Sequence, residues 1–313
     1  MNPTVSIVVT AYKRTNFIAQ AIDSALGQTY TDFEIIVTDD SNSIEIGEIC
    51  KSYADPRIRY RANEKNIGVV ENIKTAISES KGNYISILND DDYWDKEFLS
   101  TLMKQFENRP DCALVFSNHW ILEKGEIDYK ITEEIIEQYH RNAIPAGEVQ
   151  DLEELVLQYN GVPLAMSSVF KKSAIDFNLL YNGVKGAYDF WISCLILKSN
   201  PVAIYVKENL TYYRRHVHME TVRKSIDKNE NMVFVFKILS EKNWFPKNEK
   251  LINEKYSESL SQVGFDHLHF NSFKTARNYF IDSLKVKPST RGLMGLVFAL
   301  FPFAFRLALK LKA

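Results

Sequence analysis

The feature that most constrains this 313-residue chain is a run of three carboxylates, Asp90–Asp92, directly after an apolar segment, Ile85–Leu88. A short apolar segment of this kind is typical of a buried β-strand. Adjacent carboxylates repel each other and resist burial unless a positive group, above all a bound cation, neutralises them. The run therefore predicts a metal-dependent site at the carboxyl end of a strand.

Charge and cysteine usage exclude several classes of protein. A net charge of −2 gives no global reason to expect nucleic acid as a partner, and none is predicted. Cys50, Cys112 and Cys194 are widely separated, which favours neither a disulfide framework nor a thiolate zinc site and fits a reducing compartment. A strand-like run, Val5–Thr10, begins almost at once without a secretory-type segment, so a cytoplasmic location is expected.

The first half of the chain alternates between strand and helix patterns. Apolar and β-branched runs predict strands, and apolar residues at helical spacing predict helices between them. The predicted strands are Val5–Val9, Phe33–Val37, Ile58–Arg61 and Ile85–Leu88, and the predicted helices are 16–26 and 69–80. This alternation indicates a mostly parallel sheet that helices cover on both faces.

Polar side chains follow two of these strands. Thr38–Ser41 comes after the second strand, and Asp90–Asp92 comes after the fourth. Because open sheets of this kind bind ligands beyond the carboxyl ends of their strands, both segments are expected to open onto one crevice.

Six segments, in order and spacing, resemble the family 2 glycosyltransferases of the GT-A fold. The resemblance covers about Pro3–His216 and implies an α/β, Rossmann-like, mixed sheet flanked by helices, of the type found in nucleotide-diphospho-sugar transferases. A catalytic domain is expected over residues 1–223, followed by an all-helical extension over 224–313. The segments are Ser6–Arg14, Ala25–Tyr30, Val37–Ser41, Asn66–Gly68, Lys81–Ile85 and Asn89–Trp94.

The resemblance assigns roles to the acidic run. Asp91 is expected to bind Mn²⁺ or Mg²⁺ directly, and Asp90 to hold the donor ribose or a metal-bound water. Such a cation would stabilise the negative charge that develops on a diphosphate leaving group. Asn89 departs from the aspartate that many members carry, which leaves the affinity for the metal and the choice of metal open. The alternative is a solvated loop whose aspartates cap the next helix.

The resemblance also places the base of the donor. Asp39 and Asp40 resemble a base-reading pair, with Asp40 accepting the uracil imide proton and with Thr10 and Tyr12 forming the floor of the pocket. Thymidine diphosphate offers the same imide edge and is an alternative donor. The other alternative is that the aspartates form an Asx-turn and bind no ligand. Asn66 matches a donor-site position, where it is expected to organise its loop more than to touch the sugar.

Three residues further along complete the expected site. Asp189, before an aromatic pair, resembles the catalytic base on the acceptor side; the alternative is a carboxylate that only stabilises a helix N-terminus. Arg214 and His216 resemble the segment that closes the donor site. Arg214 is expected to bind the diphosphate, and His216 to complete the metal shell or contact phosphate.

Beyond about Lys224 the pattern is helical throughout. Residues 260–284 predict a helical hairpin. The apolar tail Leu293–Phe305 is too short to span a bilayer. Phe303, Leu307 and Leu311 share one helical face and Arg306 and Lys310 another, which predicts contact with an anionic membrane surface. A core helix or a dimer helix is the alternative, and the oligomeric state stays open.

The predicted function is an inverting transfer of a sugar, with a UDP-sugar favoured, to a glycan or lipid-linked acceptor in cell-surface polysaccharide synthesis, at the inner face of the membrane. There are two alternatives. One is a degenerate transferase that serves as a scaffold in an assembly complex. The other is a sugar-phosphate nucleotidyltransferase, which would need a glycine-rich phosphate loop near the first strand that the sequence lacks.

Overall fold

The computed structural model describes residues 3–216 and 225–312. The chain divides into two compact units, Met1–Val217 and His218–Ala313. The predicted domain boundary at residue 223 falls among residues 217–224, which lie outside the described residues.

The first unit contains all the strands of the described chain. Its strands are β1 Val5–Ala11, β2 Phe33–Asp39, β3 Ile58–Ala62, β4 Tyr84–Asn89, β5 Tyr93–Trp94, β6 Cys112–Glu123, β7 Glu126–Ile127, β8 Gly147–Glu148, β9 Ser168–Lys171 and β10 Val202–Arg215. Its helices are α1 Thr15–Leu26, α2 Ile44–Ser52, α3 Val69–Glu79, α4 Phe98–Asn108, α5 Tyr129–Gln138, α6 Leu152–Leu157, the short turn α7 Leu164–Ser167, and α8 Tyr188–Lys198.

The strands form one mixed sheet, as predicted. Its order is β3-β2-β1-β4-β9-β6-β10-β5, with β7 beside β6 and β8 beside β10. Strands β1 to β4 run parallel, and so do β6 and β10, whereas β9 and the short strands pair antiparallel. The parallel half brings the ends of β1, β2 and β4 to one edge, where the acidic segments lie.

The core of this half is built from the strand residues that the apolar runs predict. Ile7, Val9, Ile35 and Leu88 are fully buried and pack with the apolar face of α1. Gly82, three residues after α3 ends, lies against β1; an added Cβ would come within 2.6 Å of the Ser6 nitrogen.

Several elements were not predicted. Strand β6 is twelve residues long, and β10 is fourteen residues long. Helix α5 lies in the region between Asn118 and Tyr181, which showed no readable pattern. The extra length of β10 matters because it carries Arg214 to the acidic turn that follows β4.

The second unit is helical throughout its described residues. Its helices are α9 Ser225–Lys242, α10 Glu249–His269, α11 Phe273–Val286, α12 Thr290–Leu300 and α13 Pro302–Lys312. Helices α10 and α11 form the predicted hairpin, whose core contains the fully buried Phe280. The apolar tail is not one helix: it breaks at Phe301, before Pro302 starts α13.

Candidate active site

Backbone hydrogen bonds join the ends of four strands into one site. The Asp40 amide donates to the Ala11 carbonyl over 3.0 Å, and the Asp90 amide donates to the Thr10 carbonyl over 3.1 Å. The Asp95 amide donates to the Leu210 carbonyl over 2.9 Å, which fixes β10 beside the acidic run. The segments after β1, β2 and β4 therefore share one crevice with the end of β10, as the sequence predicts.

Asp90 lies at the bottom of this crevice with 1% of its surface exposed. One carboxylate oxygen accepts from the Tyr12 amide over 2.8 Å, and the other accepts from the Arg14 guanidinium over 2.7 Å. Burial raises the pKa of Asp90 to about 7; Arg14 opposes the shift and the charge of Asp91 adds to it.

Asp91 is the most exposed carboxylate of the run, at 8%. Its Oδ2 lies 3.1 Å from Arg14 Nη1 and 3.1 Å from His216 Nε2. The structure thus brings together the two residues predicted to bind a metal ion. It also places a cation, Arg14, between Asp90 and Asp91, and their charges raise the pKa of Arg14 against the effect of burial.

Asp92 has a structural role. It is 2% exposed; Oδ1 accepts from the Arg214 amide over 3.0 Å and Oδ2 accepts from the Asn89 amide group over 3.2 Å. Burial and the neighbouring charge of Asp91 raise its pKa well above the usual value. Asp92 therefore holds the end of β10 against the acidic run.

The Arg214 side chain spans the mouth of the site. Its Nε donates to the Asp91 carbonyl over 3.0 Å and its Nη2 donates to Gln20 Oε1 over 2.5 Å. The guanidinium carbon lies 4.6 Å from the centre of the Phe17 ring and 5.7 Å from that of Tyr93. These contacts hold a positive charge beside Asp91, where a diphosphate is expected.

The two aspartates after β2 differ from each other. Asp39 is fully buried, and its oxygens accept from the Ser41 and Ser43 amides, the Ser41 hydroxyl and the Tyr60 hydroxyl. This is the Asx-turn expected as the alternative, with three more bonds. All four acceptor positions of Asp39 are in use, three of them by the turn and one by Tyr60.

Asp40 holds the loop that precedes α3. Its Oδ1 accepts from the Asn63 amide group and the Ile67 amide, and its Oδ2 accepts from the Gly68 amide over 2.9 Å. Oδ2 keeps capacity for one more donor. Gly68 has φ = +86°, a backbone conformation that favours glycine, and there is open space around its α-carbon.

The remaining predicted donor-site residues lie around this crevice. The Thr10 hydroxyl donates to Asn89 Oδ1 over 3.3 Å, and Tyr12 is 36% exposed at the mouth. Asn66 is exposed on the loop before α3. The buried organiser of that loop is Asn63, which also donates to Asn72 over 2.8 Å.

Asp189 lies in the first turn of α8, half-buried. The residue before it connects this helix to the acidic run, because the Tyr188 hydroxyl donates to Asn89 Oδ1 over 3.1 Å. Burial, then Asp189 and Asp91, raise the pKa of Tyr188. The predicted base thus lies one residue from a direct contact with the segment that holds the predicted metal ligands.

The sequence matches a known family model over about half its length. Residues 6–155 match "Glycosyl transferase family 2". Residues 6–155 of the chain form a glycosyl transferase family 2 domain.

Several curated relatives of this family 2 domain are glycosyltransferases by name. An uncharacterized glycosyltransferase of Methanocaldococcus jannaschii is 32% identical over 198 residues, 62% of this chain and 65% of that protein. The UDP-Glc:alpha-D-GlcNAc-diphosphoundecaprenol beta-1,3-glucosyltransferase WfaP of Escherichia coli is 34% identical over 41% of this chain and 49% of its own length. Glycosyltransferase GlyG of Streptococcus pneumoniae is 30% identical over 40% and 42%. These alignments span less than two thirds of each relative.

Solved structures share the fold of this family 2 chain. S. aureus TarS 1-349 in complex with UDP-GlcNAc has a TM-score of 0.66 at 15% identity, covering 91% of this chain and 82% of that one. Mannosyltransferase PcManGT from Pyrobaculum calidifontis, in complex with GDP-Man and Mn2+, has a TM-score of 0.56 at 14% identity, covering 99% and 81%. The predicted GT-A fold is confirmed.

The distance between the Asp91 and His216 side chains is suitable for two ligands of one divalent cation. Two ligands at right angles on an ion with bonds of about 2.1 Å lie about 3 Å apart, and Asp91 Oδ2 and His216 Nε2 are 3.1 Å apart. Among residues 3–216 and 225–312, no group of three His, Cys, Asp or Glu side chains could hold a metal ion.

Sequence reasoning missed two residues of this site. Arg14 is the cation that lies against both Asp90 and Asp91, and it belongs to the first segment of the family resemblance. Tyr188 binds Asn89, and its position beside Asp189 was the available signal. Neither contact follows from local sequence, because the partners are 76 and 99 residues apart.

Proposed function

We propose that the chain transfers a sugar from a UDP-sugar to a hydroxyl group of a glycan or lipid-linked acceptor, with inversion at the anomeric carbon, in cell-surface polysaccharide synthesis. The observation that carries this proposal is the convergence of Asp91, His216 and Arg214 within hydrogen-bonding distance at the carboxyl ends of the strands. A carboxylate, an imidazole and a guanidinium together match the charge of a cation-bound diphosphate.

Asp91 and His216 would hold Mn²⁺ or Mg²⁺, which when bound supplies charge stabilisation for the leaving diphosphate. The Mn2+ in the PcManGT complex supports this choice. Arg214 lies ready to bind the diphosphate, because Phe17 and Tyr93 hold its guanidinium beside Asp91. Arg14 would have to leave Asp91, since a second cation beside the metal ion is unfavourable.

Asp40 is the better candidate of its pair for the uracil imide, because its Oδ2 accepts a single bond whereas both oxygens of Asp39 are used in the turn. The imide N–H would donate a second hydrogen bond to Oδ2, and this bond would be charge-assisted. The UDP-GlcNAc in the TarS complex and the UDP-Glc in the WfaP name support a uridine donor.

Asp189 would take the proton of the acceptor hydroxyl as that oxygen attacks the anomeric carbon and the diphosphate leaves from the opposite face. One base is sufficient for inversion because a metal-bound leaving group needs no separate acid. The Tyr188–Asn89 bond holds this helix next to the donor side. The diphosphoundecaprenol in the WfaP name supports a lipid-linked acceptor.

A thermal-shift panel of UDP-, dTDP-, GDP- and CMP-sugars, with and without Mn²⁺, tests the donor. A specific donor raises the apparent stability by mass action, and the largest shift is expected for a UDP-sugar with Mn²⁺. Stabilisation by guanosine or cytidine donors alone would overturn the base assignment.

The base is tested separately with Asp189→Asn. This variant should keep the thermal shift with the donor and lose transfer, whereas the same change at Asp151, which caps α6, should leave both unchanged. Intact glycan synthesis in cells that carry Asp189→Asn would instead favour the non-catalytic scaffold.

We further propose that the enzyme is cytoplasmic and lies on the inner face of the cell membrane, through its C-terminal helices. None of the helices in the described residues has the length and apolar character to cross a bilayer. Yet Leu293, Val297, Phe301, Phe303 and Leu307 are each 49–69% exposed. Exposed apolar side chains at this density mark an interaction surface.

The charge around these helices favours an anionic partner. From residue 283 to the end the sequence has six Lys or Arg residues and no Asp or Glu. Arg306 is exposed, whereas the side chains of Lys310 and Leu311, part of the predicted faces, lie outside the described residues. An apolar, basic surface of this kind binds anionic lipid.

Sedimentation with vesicles tests the membrane proposal. Vesicles with about 30% phosphatidylglycerol should bind the chain and release it at high salt, and neutral vesicles should bind it weakly. Phe303→Ser with Leu307→Ser should abolish binding, and Phe270→Ser, at an equally exposed position in the same unit, should not. If the wild type instead forms dimers that the double variant dissociates, the surface is a protein interface.

A further inference from the structure

A pocket of about 300 Å³ lies between β6, the bend in β10 and helix α5. The lining residues that matter for its chemistry are Asn118, Trp120, Tyr129, Glu133, Lys207 and Asn209. It does not contain any of the candidate active-site residues. Pockets of this size are at the lower limit of those that take small ligands, which suits one ring-sized group.

The pocket is formed by an irregularity in the sheet. Strands β6 and β10 pair in parallel, but the register shifts on both sides of Asn209, between Val206 and Thr211. Bulges of this kind re-aim side chains and are frequent near functional sites. Helix α5 forms the other wall, where the Thr132 hydroxyl accepts from the Ile121 amide over 3.0 Å.

The Asn118 side chain has a fixed orientation. Its amide nitrogen donates to the Tyr205 hydroxyl over 2.6 Å and to the Lys207 carbonyl over 3.1 Å. Because a carbonyl only accepts, the nitrogen must be the atom on that side, and Oδ1 must be on the other. Oδ1 is buried and no described residue donates to it; the same is true of Asn209 Oδ1.

Two buried acceptors without donors are costly. Each such oxygen costs about 1–3 kcal/mol relative to a bonded one. A ligand that relieves this cost must bring hydrogen-bond donors. Phosphate and carboxylate groups bring none when ionised, so an anion does not match these two oxygens.

The aromatic residues of the pocket indicate an apolar face on the same ligand. The Trp120 and Tyr129 rings lie 5.5 Å apart at 76°, and Tyr129 is 64% exposed. Water alone would satisfy the amide oxygens, but it would not explain an exposed Tyr129 ring packed against a half-buried Trp120 beside them. Glu133 and Lys207, which carry opposite charges, favour a ligand without net charge.

We propose that this pocket binds one neutral saccharide unit. A sugar ring offers hydroxyl donors on its edges and C–H groups on its faces, and so matches both halves of the lining. This inference rests on the proposed function, because it takes the bound saccharide to be part of the acceptor glycan. Asn209 and Arg214 are five residues apart on β10, about 16 Å in an extended strand, so the unit bound here is remote from the point of transfer.

The test uses the full chain and neutral oligosaccharides of one to six units from the cello, malto, laminari and chito series. Binding is followed by saturation-transfer NMR and by tryptophan fluorescence. We expect at least one series to bind, and Tyr129→Ala to weaken it tenfold or more. Tyr129→Phe should bind within about twofold of the wild type because the ring persists. Phe270→Ala is the control for loss of an exposed aromatic elsewhere.

If the saccharide binds beside Trp120, the change in tryptophan fluorescence on binding should disappear in Trp120→Phe. Loss of this signal therefore locates the binding site. The inference is overturned if no series binds, or if binding persists unchanged in both Tyr129→Ala and Trp120→Phe. Release of UDP from the donor into water should be equal in all these variants, since the pocket is remote from the donor site. Failure of that release in the wild type would count against the proposed function, whatever the saccharide binding shows.

Discussion

Two acidic turns follow parallel strands of the same sheet, and they are stabilised in different ways. The β2 turn, Asp39–Ser43, satisfies Asp39 with amides and hydroxyls, mostly its own. The β4 turn, Asn89–Asp92, faces Asp91 with Arg14 and His216 from distant segments. Carboxylates bonded by their own turn are fixed parts of the fold. Carboxylates balanced by a side-chain charge from another segment have a counter-charge that a bound ion is able to replace.

The largest effect should come from Asp91→Asn, which removes the charge that the proposed cation needs. We expect release of UDP from a UDP-sugar to fall by about 10²–10³-fold, equivalent to about 3–4 kcal/mol. Circular dichroism should show an unchanged fold. Asp111→Asn, at an exposed carboxylate, is the control. Undiminished release in Asp91→Asn would remove this turn from the mechanism.

A substitution in the β2 turn should lower the stability of the fold, and added metal should not restore it. Asp39→Ala leaves four part-buried donors without their acceptor, so the free energy of unfolding should fall by about 3 kcal/mol in urea titrations. Asp23→Ala, which loses one bond from Tyr53, should cost far less. If added Mn²⁺ restored the stability of Asp39→Ala, the contrast between the turns would be wrong.

Removal of Arg14 should make the β4 turn depend on added cation. In chelator, Arg14→Gln leaves Asp90 and Asp91 without their guanidinium, at a cost of about 1–3 kcal/mol. Mn²⁺ should recover most of this loss and bind more tightly than to the wild type, as measured by calorimetry. Equal Mn²⁺ affinity in both proteins would show that Arg14 does not compete for the site.

The smallest effect concerns a buried group outside both turns. Burial, with the charge of Arg141 adding, lowers the pKa of His119 well below its usual value, and the Tyr213 ring lies 6.1 Å away. Below about pH 6.5 the unfolded chain takes up a proton that the folded chain does not, so stability falls by up to about 1.4 kcal/mol per pH unit. In His119→Phe this part of the decline should be absent. An identical acid slope in both proteins would contradict the assignment.

The parallel half of the sheet was predictable because its signals are local. Apolar runs identify β1, β2 and β4, and polar residues at their ends identify the crevice. Helix α5 also had a local signal that was overlooked: Asp128 caps it by accepting from the Ile131 amide over 2.9 Å.

The division of roles among the acidic residues was not predictable. From sequence, a metal ion is the expected neutraliser of Asp90 and Asp91, whereas the fold supplies Arg14 from the segment after β1. Likewise, Asp39 and Asp40 look alike in sequence, and only the loop with Asn63 and Gly68 distinguishes them. These contacts depend on how distant segments meet, which no local pattern records.

If Asp91 binds a cation as proposed, the Arg14 guanidinium has a consequence for folding when that metal is scarce. Because Arg14 is part of the same chain, its charge is present at any concentration of free metal. The acidic residues are therefore neutralised in a newly made chain that has not yet bound manganese. Folding is thereby uncoupled from metal supply, unlike in small domains that collapse only around their ion. The trade-off is weaker uptake of the ion, since each arriving cation must first displace a resident one.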